Sequence, residues 1–164
     1  MKKTILLLLT ISFNIISYAQ TDLDVLLYYK ICEYRTENDL PCWEWDEKAW
    51  KVAKSHSEYQ SQTGYMGHDG GSKIRRYAGQ RFTYYNFEWS YVGENCAVAD
   101  SKGMEMMEIA DRIMVLWKAS PSHNKLLLST NARFAGVSCV KGTDYKWSSN
   151  YYYWTYATLN IYRQ

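Results

Sequence analysis

The order of the hydrophobic periodicities constrains this chain most. Helical spacing comes first and most strand-like runs come last, without the regular strand–helix alternation of a parallel sheet. Leu23, Leu27, Ile31 and Tyr34 predict a helix over 22–37, with Asp22 and Asp24 where the helix dipole favours negative charge. Pro41 ends that segment, because the residue before a proline is pushed out of helical geometry. Ala49, Val52, Ala53 and His56 form the apolar face of a second helix over 46–62, closed by Gly64. The clearest stripe is Met106, Ile109, Ala110, Ile113, Leu116 and Trp117. It stops near Ala119, where Ser120-Pro121 caps and opens a short helix running to about Leu128. Residues 91–98, 134–141 and 151–161 read as strands, with 142–150 as a turn. The glycine-rich stretch 64–91 reads as loop, with a short helix over 73–78. The expected class is α+β, a layered sandwich.

The first twenty residues stand apart. Lys2 and Lys3 precede the apolar run Ile5 to Leu9, and Ser17-Tyr18-Ala19 supplies small residues before a cleavage point. The run carries Thr10, Ser12, Asn14 and Ser17 and falls short of the roughly 20 apolar residues a span needs. Residues 1–19 are therefore expected to be a signal peptide and 20–164 a single domain, exported to an extracellular or periplasmic space. The whole chain holds 19 basic and 17 acidic residues, which gives no electrostatic case for nucleic acid.

Export gives the four cysteines meaning. Cys32, Cys42, Cys96 and Cys139 form an even set without a C-x-x-C motif, which argues for disulfides over zinc ribbons or thiol redox chemistry. They admit three pairings. Cys32–Cys42 and Cys96–Cys139 are the favoured ones; the alternative leaves one or both pairs as buried thiols.

Only three histidines are present. His56 lies on an apolar stripe and reads as a core histidine with one hydrogen bond. His68 sits in Gly67-His68-Asp69-Gly70-Gly71, a loop able to present it to a cleft. His123 occupies the third position of the short helix, where the dipole favours a neutral imidazole able to ligate metal; taken alone, both His68 and His123 read equally as ordinary surface histidines. Glu94 interrupts an apolar strand and needs a cation, a donor or solvent. Phosphate-loop, dinucleotide and serine-nucleophile motifs are absent. Sixteen tyrosines and seven tryptophans supply amphipathic rings, among them Tyr151-Tyr152-Tyr153-Trp154, which could stack on sugars.

Several fragments in register resemble the CAP superfamily of cysteine-rich secretory, antigen 5 and pathogenesis-related proteins (the SCP domain), especially its compact exported bacterial branch. They are Tyr34-Arg35-Thr36-Glu37-Asn38-Asp39-Leu40-Pro41 with Trp45-Asp46, Ala53-Lys54-Ser55-His56-Ser57, Gly67-His68 and Gly93-Glu94-Asn95. Trp117-Lys118-Ala119-Ser120-Pro121-Ser122-His123, Leu126-Leu127 and Phe134-Ala135-Gly136-Val137 complete the set. The resemblance implies a three-layer α–β–α sandwich with a small central antiparallel sheet and a surface cleft. There His68, Glu94 and His123 match two histidines and one acid of the family's cleft. The second acid would fall at Ser120, so three ligands remain with a fourth position open for water, and Glu58, Asp69 or Glu88 are the candidates to stand in for the lost acid behind the ligands.

The resulting expectation is a monomeric module whose cleft binds zinc, another divalent cation or a small ligand without turnover. A small molecule, lipid, glycan or extracellular protein would be its partner. The alternatives are a zinc-dependent hydrolase with Glu94 as base, and a cell-wall or polysaccharide-binding module.

Overall fold

A computed structural model of the protein describes residues 21–142 and 153–164. The expected signal peptide, the 142–150 turn beyond Gly142, and Tyr151 and Tyr152 lie outside the described residues. Helix α1 spans Asp22–Glu37, β1 Glu44–Trp45, α2 Glu47–Thr63, α3 Ala78–Tyr84 and β2 Tyr91–Asp100. Then follow α4 Met106–Ala119, α5 Pro121–Leu127, β3 Phe134–Lys141 and β4 Trp154–Arg163.

The helix ends follow local chemistry. Thr21 and Asp24 form a capping box on α1, and Asp46 Oδ1 accepts from the backbone of Lys48 and Ala49 to open α2. Gly64 closes α2 in the left-handed region, φ 69°, and donates its N–H to Gln60. Ser120 caps α5 with Pro121 behind it. Its hydroxyl pairs with Ser122 Oγ (3.2 Å) rather than with the helix backbone.

The strands run in the order β1–β3–β4–β2. β4 is antiparallel to both β2 and β3, but β1 lies parallel to β3, so the sheet is mixed and not purely antiparallel as expected. One face carries Ala97, Ala99, Ala135, Val137, Ala157, Leu159 and Ile161 against Leu23, Leu27 and Ile31 of α1 and Ile109, Ile113 and Trp117 of α4. The other face meets α2 and α3 through Ala49, Val52, Phe82 and Tyr162. Gly136 allows that approach: a Cβ there would lie 2.6 Å from the Ala49 carbonyl carbon. This is the α+β sandwich the periodicities imply, with helices over both faces.

Three further sequence expectations need correction. The short helix lies at 78–84 rather than 73–78, because Ala78, Arg81 and Phe82 supply the buried i, i+3, i+4 spacing. In α4, Met114 is buried while Met106 and Leu116 are 47% and 41% exposed, so the core stripe is narrower than the run of apolar residues. Finally, Cys32 and Cys42 are disulfide-bonded, with Cα atoms 4.7 Å apart, but Cys96 and Cys139 are free and buried. The reason is topological. Cys96 pairs with Thr158 and Cys139 with Ala157, so β4 stands between them and their side chains point to opposite faces. Two strand spacings, roughly 9.6 Å, exceed the Cα separation a disulfide can bridge.

Candidate functional site

The triplet Gly93-Glu94-Asn95 lies on β2, an edge strand with a helical layer on each side. Alternation sends its residues to different layers. Gly93 leaves room for α5, since a Cβ would sit 2.5 Å from Leu126 Cδ1. Asn95 faces the same side, and its amide donates to the His123 carbonyl at 3.0 Å. Glu94 faces α2 and α3.

There the Glu94 carboxylate is enclosed, with 4% of its side chain exposed. Oε1 accepts from His68 Nδ1 at 3.0 Å, and Oε2 is bonded by Arg81 Nη2. The Asn160 amide, oriented to satisfy both of its ends, donates to Oε2 at 3.2 Å. His56 Nε2 lies 3.9 Å from Oε1. A buried carboxylate is stable only with such partners.

Arg81 carries no motif in the sequence and lies in the segment that reads as loop. The helical spacing of Ala78, Arg81 and Phe82 was the signal that could have found it. Its guanidinium also gathers the His68 loop: Nη1 donates to the carbonyls of His68 (3.3 Å), Arg75 (3.1 Å) and Arg76 (3.0 Å). From the other side His56 Nε2 (2.8 Å) and Gln60 Nε2 (2.9 Å) engage the Gly67 carbonyl. His56 is thus the core histidine expected, buried with one close hydrogen bond, and its Nδ1 has no partner among the described residues.

His68 is different: half of its side chain is exposed. Its ring centroid is 6.5 Å from that of His123, so the fold brings both histidines and Glu94 together. Among the acids considered as substitutes, Asp69 is tied to the Gly71 N–H and to Arg76. Glu58 lines a separate groove with Trp50 and Tyr85, and Glu88 is exposed.

The electrostatics sort the histidines. The hydrogen bond to Glu94 holds His68 above the ordinary imidazole value, against its partial burial. Burial pushes His56 down despite the nearby Glu94 charge. Partial burial, with His68 alongside, also lowers His123. Burial opposes the charge on Glu94, but the His68 hydrogen bond and the Arg81 charge outweigh it and hold the carboxyl below its usual range. Burial raises the Cys96 thiol well above a free thiol.

Two groups of side chains carry the ligand types a cation would need. The inner set is His56, Glu94 and Cys96, whose ligand atoms lie within 4.8 Å of one another and could converge on an ion. The outer set is His68 and His123. The inner set fits poorly: Arg81 already neutralises Glu94, His56 Nε2 is spent on Gly67, and the thiol is held protonated. In the outer set Nδ1 of His68 is committed to Glu94, which leaves Nε2 as the nitrogen for an outside ligand.

A family model for CAP, the cysteine-rich secretory protein family, matches residues 28–157. The chain belongs to that family. Among solved structures, an extracellular SCP-domain protein from Bacillus anthracis is similar at 21% identity and TM-score 0.65. That match covers 87% of this chain and 40% of the other, so this chain spans well under half of that protein's length. An outer surface protein from Borrelia burgdorferi is similar at 20% identity and TM-score 0.65, covering 89% of this chain and 96% of its own. NaASP2 with Zn2+ is similar at 10% identity and TM-score 0.54, covering 88% and 82%. At these identities the likeness shows the CAP fold alone. The curated proteins offer no match. Among the described residues no helix is long and apolar enough to cross a membrane.

Proposed function

We propose that this CAP protein is an exported, monomeric binding module, residues 20–164 following a signal peptide at 1–19, whose outer histidines hold a divalent cation. The observation that carries this reading is the His68–Glu94 hydrogen bond beside a second histidine, His123, 6.5 Å away between ring centroids. A carboxylate that fixes one imidazole nitrogen orients the other toward a metal and makes it more basic. Zinc suits the donor set, since imidazole nitrogens ligate it at about 2.0–2.1 Å. His68 and His123 would hold the ion, and Glu94, matched to the family's cleft acid, serves as the orienting partner rather than a third ligand. The bound ion would supply an electrophilic position for a small anionic or carbonyl ligand. NaASP2, a structural relative, has been crystallised with Zn2+.

Turnover is not part of this reading. A hydrolase would ask Glu94 to take a proton from water, and both of its oxygens are already engaged by His68 and Arg81. Calorimetric titration of the metal-stripped protein with zinc near pH 7 tests the proposal. About one equivalent is taken up by the unaltered protein and none by His68→Ala; absence of uptake by the unaltered protein contradicts it.

A further inference from the structure

Next to His56 and His68 lies a concavity that the cation reading does not use. It is an open concavity of about 370 Å3 whose lining includes Tyr59, Tyr65, Asp69, Gly71, Lys73 and Arg76. That volume falls within the range of about 300–1,000 Å3 typical of small-molecule sites. Tyr59 leaves α2 one turn after His56 and stacks on it, with ring centroids 6.2 Å apart and planes 16° apart. The wall of the pocket is therefore anchored in the core.

The lining combines two kinds of surface. Tyr59 and Tyr65 offer flat apolar faces whose centroids are 6.5 Å apart and whose planes are inclined at 57°. This forms a corner, not a parallel slot, and does not sandwich a planar aromatic ligand. In the same lining, Asp69 Oδ2 accepts from Arg76 Nε at 2.9 Å while Oδ1 accepts from the Gly71 N–H at 2.8 Å. A carboxylate and a guanidinium are thus held side by side, each with further hydrogen-bonding capacity. Gly71, at φ 71°, leaves room for the Tyr59 ring: a Cβ there would press to 2.7 Å of it.

We propose that this pocket binds a saccharide carrying an acidic group. A pyranose has the matching duality, with axial C–H bonds that pack on an aromatic face and vicinal hydroxyls that pair with planar donors and acceptors. Lys73 and Arg76 outweigh Asp69 in charge, which favours a sugar carboxylate over a neutral sugar. The proposal goes beyond the cation reading and needs no metal.

Affinity electrophoresis in gels containing polygalacturonate, alginate or hyaluronate, run with a chelator, tests it independently of zinc. The protein is retarded by at least one of the three and much less by neutral dextran or by polyacrylate, a polyanion without sugar rings. Tyr65→Ser and Lys73→Ala each weaken retardation about tenfold. Tyr65→Phe, which keeps the ring, preserves it, and Tyr29→Ser on α1 leaves it unchanged. Three results overturn the proposal: no retardation in any acidic saccharide, equal retardation by polyacrylate, or retardation indifferent to Tyr65→Ser and Lys73→Ala. Circular dichroism of each variant separates loss of the pocket from loss of the fold.

Discussion

The interior around Glu94 and the rim around His68 and His123 both carry histidine beside the same carboxylate and behave oppositely. Inside, Arg81, Asn160 and His56 surround the carboxylate, and hydrogen-bonding capacity is consumed within the protein. At the rim, one nitrogen of His68 is fixed and the ring remains half exposed. Proximity of ligand types is therefore not enough to make a site. What separates the two is whether a group still has an atom to offer once the fold has satisfied itself.

Several variants would break that comparison. Arg81→Ala has the largest effect, because it leaves Glu94 buried without its cation. It lowers unfolding free energy by about 3–5 kcal/mol in urea titration, and Arg81→Met with Glu94→Leu recovers much of the loss. Glu94→Gln comes next, weakening zinc uptake at the rim about 10–100-fold while His68 and His123 remain. The effect of pH follows from the shifts. Glu94 is lowered, so its contribution is complete above its unfolded value near about 4.3 and is lost as pH falls through its lower folded value. His68 is raised, so its contribution is complete below about 6.5 and is lost as pH rises through its higher folded value. Proton NMR should find His68 titrating above about 6.5, and His56 and His123 below it. The smallest effect is Asn95→Ala, which removes one hydrogen bond to the His123 carbonyl and costs about 1 kcal/mol of stability.

The sequence made the rim more legible than the interior. At the rim His68 and His123 carry local features, a glycine-rich loop and a short helix opened by proline, and it is the CAP resemblance that joins them with the buried Glu94 into one site. Arg81 carried only helical spacing within a stretch dominated by glycine and tyrosine, so the ion that sets the character of Glu94 went unread. The fold class followed from periodicity, and α1, α2 and β3 lie where the apolar spacing puts them. The two-residue β1 is too short to leave a pattern, and its parallel pairing makes the sheet mixed. The Cys96–Cys139 pairing failed because spacing along the chain does not reveal which strand will lie between two others. Alkylation without reductant should find no reactive thiol in the native protein and two after unfolding.

The most direct measurement is zinc uptake by two variants that separate rim from interior, His123→Ala and Cys96→Ala. Loss of the bound equivalent in His123→Ala, with uptake retained in Cys96→Ala, is the outcome expected if the cation sits at the rim. Uptake retained in His123→Ala and lost in Cys96→Ala would place the ion among His56, Glu94 and Cys96, and would contradict the division drawn here.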